Sequence, residues 1–111
     1  MVIFLNMAVS GKTDTTPLVV EETDQVPAEP EDYRVYLIND DFTTMEFVIS
    51  VLMSVFHKSL TEASTLTLEV HRRGRGMVGV YPYDIAVTKI DQVHMMARQR
   101  GFPLRCTMER A

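Results

Sequence analysis

The chain contains no tryptophan, a single cysteine, and nowhere a run of eighteen apolar residues. Each absence removes a class of protein. One thiol, Cys106, forms no internal disulfide, which fits a reducing compartment. Its neighbours Leu104 and Met108 alternate with polar residues, and no companion cysteine stands at metal-ligand spacing, so Cys106 reads as core. Without a long apolar run there is no membrane-spanning helix. The opening "MVIFLNMAVSGK" is apolar only over Val2 to Leu5 and has no basic region before it, so a secretory signal is not expected, and Met7 is an alternative start. A cytoplasmic protein with no membrane partner is the expectation.

A surplus of positive charge is also missing: fifteen acidic residues face eleven basic ones, a net of −4. The imbalance is local. Residues 1 to 32 carry seven acids against Lys12, a net of −6, and the remainder is net +2. That first segment holds Pro17, Pro27 and Pro30 among Thr, Glu and Asp, without helical or alternating period. It is expected to be a disordered acidic extension, residues 1 to 31, ahead of one domain over 32 to 111.

The signatures of catalysis are lacking too. There is no nucleophile elbow, phosphate loop or repeated metal-ligand spacing, and Asn39-Asp40-Asp41 has neither the glycine nor the later glutamate of a calcium loop. No enzyme, cofactor or metal is therefore expected. "HRRGR", from His71 to Arg75, has cations to grip phosphate, but the chain is acidic and no aromatics interleave for stacking. The run reads better as cations favouring a helix C-terminus, with no nucleic-acid partner.

What is present is a regular pattern of apolar residues. Tyr33 to Ile38 alternates as a strand, and Phe47, Val48, Val51, Leu52, Val55 and Phe56 recur at helical spacing behind a capping-box pair, Thr43 and Glu46. Ser59 and Glu62 repeat the box before Ala63, Leu66 and Val70, a second helix ending near Arg72 and Gly74. Met77 to Tyr81 reads as a strand, Pro82 opens a third helix that stops at Gly101, and Leu104 to Met108 alternates as a last strand. The order βααβαβ predicts an α+β fold, a small sandwich of a three-stranded, mostly antiparallel sheet packed against three helices.

At the end of the first strand stand an amide and two carboxylates, Asn39-Asp40-Asp41. An ammonium group offers three N–H donors and no acceptor, so its site needs acceptors on short side chains, at least one anionic. Asn39 and Asp40 supply two, and a neutral His71 nitrogen supplies a third. Capture of an N-terminal amine is an established mode of peptide recognition. The plainer alternative is an acidic pair favouring the helix N-terminus that follows, which accounts for Asp41 and not for Asn39.

"YLINDDFTTMEFV", "LEVH" and the ending "PLRCTMERA" together resemble the ClpS family, adaptors that deliver N-end-rule substrates to the AAA+ Clp protease. The resemblance runs from Tyr33 to Ala111. It implies a non-enzymatic module that binds proteins starting with Leu, Phe, Tyr or Trp and passes them to the N-terminal domain of a Clp AAA+ ATPase. It implies that Asn39, Asp40 and His71 hold the substrate's α-amine, supported by Asp41. Leu37, Thr43, Met45, Val48, Val70 and Leu104 match the side-chain pocket, and Asp84 and Lys89 match the ATPase-docking positions. At a further pocket position this chain has Thr67 where the family often has Met, which extends the expected substrates to Ile and Val. The implied acidic extension acts on the ATPase during delivery. The alternative is an interaction module of the ribosomal-stalk C-terminal-domain type, which shares the fold and lacks N-degron binding.

Overall fold

A computed structural model describes residues 31–111. The extension expected over 1–31 lies outside the described residues, apart from Glu31. The elements run β1 (Asp32–Ile38), α1 (Met45–Ser54), α2 (Leu60–Arg73), β2 (Arg75–Pro82), α3 (Tyr83–Arg100) and β3 (Arg105–Arg110). This is the α+β order read from the sequence. β1 is central in a sheet of order β2-β1-β3, and both pairings are antiparallel.

The sheet has one covered face. Val35 and Leu37 of β1, Val78 of β2 and Cys106 of β3 are buried with Val51, Leu52, Ala63, Val70, Ala86, Val93 and Ala97 from the helices. Met77 and Val80, by contrast, remain exposed and pair with Tyr36 and Arg34 on β1. Between Val35–Gly79 and Tyr36–Met77 the register shifts, so Val78 has no partner across the ladder and inserts into the core as a bulge residue. Burial pushes the Cys106 thiol up to about 12, so it is an inert packing group.

Helix ends follow local chemistry. Ser59 and Glu62 form a reciprocal capping box at the start of α2. Gly74 and Gly101 end α2 and α3 in the left-handed conformation, at φ 89° and 75°, which a residue with a Cβ adopts only at a cost. At α1 the structure corrects the sequence reading. The N-cap is Thr44, whose hydroxyl accepts from the Phe47 N–H, and Thr43 does not form the capping box with Glu46. The reason is competition, because Thr43 gives both its N–H and its hydroxyl to Asp40.

Candidate functional site

β1 ends at Ile38, and the next three residues, Asn39, Asp40 and Asp41, turn toward the start of α1. The backbone N–H of Asn39 donates to the carbonyl of Gly74 at 2.8 Å, and the Gly74 N–H donates to Val70 at 2.9 Å. The strand end is thereby fixed against the C-terminal half of α2, which carries Thr67, Val70 and His71. A cleft of roughly 210 Å³ opens between them, lined by Asn39, Asp40, Asp41, Thr43, Met45, Val48, Thr67, Val70 and His71.

Asp40 is the most constrained member. Its Oδ1 accepts from the N–H groups of Phe42 at 2.8 Å and Thr43 at 2.7 Å, and its Oδ2 accepts from the Thr43 hydroxyl at 2.7 Å. Partial burial alone raises the carboxyl pKa, but the bonds from the Thr43 hydroxyl and the Phe42 and Thr43 amides outweigh it and hold the value below the ordinary 3.8. The result is a carboxylate fixed in place and charged, with acceptor capacity left on Oδ2. Asp41 and His71 are exposed and line the same cleft.

The wall opposite this polar rim is apolar. Val48 and Val70 are buried, and Met45 is 40% exposed at the first position of α1. Thr67, 4% exposed, donates its hydroxyl to the Ala63 carbonyl one turn back at 2.8 Å. That bond uses the hydroxyl's only proton within its own helix, so the side chain acts in the cleft chiefly through its methyl.

Two expected pocket residues lie elsewhere. Leu37 has no exposed surface and belongs to the core, and Leu104 lines a separate shallow depression with His94, Ala97, Arg98, Phe102, Pro103 and Arg105. The cleft lining does not include them: β1 points Leu37 inward beside Val35, and Leu104 precedes β3 on the far side of β1 from β2.

Asp84 and Lys89 share a second groove, of roughly 370 Å³, with Ser54, Val55, His57, Ile85, Thr88 and Gln92. Asp84 is exposed in the first turn of α3. Lys89 reaches across to the C-terminus of α1, where its ammonium donates to the Val55 carbonyl at 2.7 Å, with the Phe56 and Tyr81 ring centres 5.7 and 5.3 Å away. It therefore caps α1 as well as bordering the groove. His57, which the sequence did not single out, lies in this groove with φ at 57°, an uncommon conformation for a side-chain-bearing residue that no sequence signal announces.

No group of three or more metal-ligating side chains occurs among the described residues, and none of their helices is long and apolar enough to cross a membrane. The cleft thus brings acceptor-bearing side chains and apolar side chains into one lining.

Similarity to known proteins identifies the family. The family described as "ATP-dependent Clp protease adaptor protein ClpS" matches residues 28–107. The ATP-dependent Clp protease adapter protein ClpS of Syntrophus aciditrophicus is 55% identical over 92 residues, covering 83% of this chain and 85% of its own. That of Acetivibrio thermocellus is 50% identical over 92 residues, covering 83% of this chain and 93% of its own. Among solved structures, Agrobacterium tumefaciens ClpS2 bound to L-phenylalaninamide is similar with a TM-score of 0.73 and 38% identity, covering 75% of this chain and all of that one. With a family match across most of its length and relatives at half identity or better, this chain belongs to the ClpS family of ATP-dependent Clp protease adaptors.

Proposed function

We propose that the cleft between the end of β1 and the last turns of α2 holds the N-terminal residue of proteins marked for degradation, which this adaptor then delivers to a Clp AAA+ ATPase. Asn39, Asp40 and His71 take the α-amine, with Asp41 adding negative charge. Met45, Val48, Val70 and the Thr67 methyl take a bulky apolar side chain: Leu, Phe, Tyr or Trp, and Ile or Val through the room at Thr67. The observation that carries the reading is the convergence of these residues, from three separate stretches of chain, on one cleft.

The chemistry of the ligand matches. Phenylalaninamide, to which the Agrobacterium protein is bound, carries an α-amine, an apolar ring and an uncharged amide, as does the first residue of a polypeptide. A primary ammonium in the rim makes charge-assisted bonds, and burying a Leu- or Phe-sized side chain contributes about 1.5–3 kcal/mol. The second groove, with Asp84 and Lys89, is the proposed contact with the ATPase N-terminal domain, and residues 1–31 are the proposed segment acting on the ATPase during handover.

The deciding experiment titrates fluorescent peptides beginning with Leu, each free and N-acetylated. Acetylation removes the positive charge and two donors and leaves acceptors unpaired, an expected loss of roughly 2–4 kcal/mol. Equal affinity for the two forms rejects amine capture.

A further inference from the structure

Six methionines fall within the described residues: Met45, Met53, Met77, Met95, Met96 and Met108. Met96 and Met108 are partly buried against the core, whereas Met45, Met53, Met77 and Met95 are 40%, 41%, 44% and 53% exposed. Among these exposed sulfurs, Met45 is the one that lines the recognition cleft. It stands at the first position of α1, one residue after the cap, and is 40% exposed there.

We propose that Met45 is an oxidation site through which peroxide reversibly switches off recognition of apolar N-terminal residues. This rests on the function proposed above for the cleft. The thioether sulfur attacks one oxygen of hydrogen peroxide. The O–O bond breaks, an S–O bond forms, and the departing hydroxide takes the proton from the transferred oxygen to leave as water. Sulfur is oxidised by two electrons to the sulfoxide, and the peroxide is reduced. A methionine sulfoxide reductase reverses the step, with a dithiol oxidised to a disulfide and the oxygen released as water.

The position makes the chemistry consequential. A thioether is apolar, flexible and polarisable, and it contacts aliphatic and aromatic surfaces equally well. The sulfoxide in its place presents a strong acceptor to the hollow that receives the ligand side chain. Donors to satisfy it are scarce on that wall. The Thr67 hydroxyl is bonded to Ala63, the Thr43 hydroxyl and amide are bonded to Asp40, and Val48 and Val70 offer only hydrocarbon. When an apolar side chain enters, water leaves, and the sulfoxide oxygen loses its partners. The acceptor rim is untouched, so the loss falls on the side-chain half of recognition.

The test uses the full chain carrying Met53→Leu, Met77→Leu and Met95→Leu, substitutions away from the cleft, so that Met45 is the exposed sulfur left among the described residues. Protein is exposed to hydrogen peroxide, sulfoxide at each methionine is quantified by peptide mass mapping, and Leu- and Phe-initiated peptides are titrated before oxidation, after it, and after sulfoxide reductase treatment. Stoichiometric sulfoxide at Met45 is expected to weaken binding about tenfold or more, with recovery after reduction. The same protein with Met45→Leu, compared with its own untreated state, is expected to keep its affinity through the treatment. Sulfoxide at Met45 with unchanged affinity overturns the switch, as does an equal loss in the Met45→Leu protein. So does peroxide treatment that leaves Met45 unmodified while methionines packed against the core are oxidised. Untreated protein that fails to bind either peptide overturns the cleft's proposed function and the switch with it.

Discussion

Asn39 and Gly74 are joined by one backbone hydrogen bond of 2.8 Å, and this bond fixes the gap across which the cleft opens. Gly74 is left-handed at φ 89°, and a Cβ there meets no atom within 4 Å, so substitution costs backbone strain and no steric clash. Gly74→Ala is expected to lose about 1–2 kcal/mol of stability in urea unfolding. Peptide affinity should fall as well, since the bond ties Asn39 to the end of the helix that carries His71. A substituted protein with wild-type affinity would show that the spacing is set elsewhere.

Asp40 titrates below the ordinary 3.8 in the folded state because three hydrogen bonds outweigh its partial burial. A carboxylate depressed in this way stabilises the fold above its unfolded pKa, and that stabilisation disappears as the pH falls through the folded value. Thr43→Val removes one of the bonds and should cost about 0.5–1.5 kcal/mol at neutral pH. The difference between the two proteins should shrink once the pH drops below about 4. Thermal unfolding of both proteins from pH 7 down to pH 2 reads this directly, and a gap independent of pH would place the effect of Thr43 outside Asp40.

On the alkaline side the ligand sets the limit. A peptide α-amine loses its proton near pH 7.7–8.0, so affinity for a Leu-peptide should decline about tenfold per pH unit above roughly 8. Anisotropy titrations between pH 7 and 10 check this, with a flat profile counting against recognition of the ammonium.

Thr67 is expected to set how much width the cleft offers near the ligand's β-carbon. With its hydroxyl turned back to Ala63, it presents little more than a methyl to the cleft. Thr67→Met adds volume, and the affinity for Ile- and Val-peptides relative to Leu should fall by about 1–3 kcal/mol. If the Ile-to-Leu ratio is the same in both proteins, another residue guards β-branched side chains, and Met45 is the next to substitute.

Asp84 and Lys89 share a groove but differ in what else they do. Lys89→Met keeps the aliphatic stem and removes the ammonium from the Val55 carbonyl, so it should lower stability by about 1 kcal/mol and weaken docking to the isolated ATPase N-terminal domain. Asp84→Asn leaves the described hydrogen bonds intact, since its carbonyl still receives the Thr88 hydroxyl. It should weaken docking with the unfolding transition essentially in place. Unchanged docking in both proteins would move the ATPase contact to another face.

Local signals in the sequence revealed most of the fold. The apolar spacing of Phe47, Val48, Val51 and Leu52, the Ser59–Glu62 box and the two glycine stops each act within a few residues, and each appears in the structure as read. Thr43 and Thr44 show where local reading fails. Both fit a cap, and the choice turned on Asp40, three residues earlier, claiming Thr43. Leu37 and Leu104 carry the alternation of inward-facing strand residues and nothing to separate core from cleft wall, a distinction made by neighbouring elements. The reach of Lys89 to Val55, and the acceptance of the Cys106 N–H by the His94 ring at 3.0 Å, are tertiary contacts without a sequence motif. Asn39, Asp40 and His71 were singled out together because an ammonium demands a narrow set of acceptors, and the structure places all three on one cleft.

β1 has a hydrogen-bonded neighbour on each side, and Asn39 continues directly from it. Unfolding that exposes the Asn39 amide must therefore break its bond to Gly74, which is held between the end of the central strand and the end of α2. In hydrogen-exchange experiments the Asn39 amide should be protected nearly as long as those of Val35 and Leu37. Recognition and global folding would then fail together, so a partly melted adaptor would not go on selecting substrates by a loosened cleft.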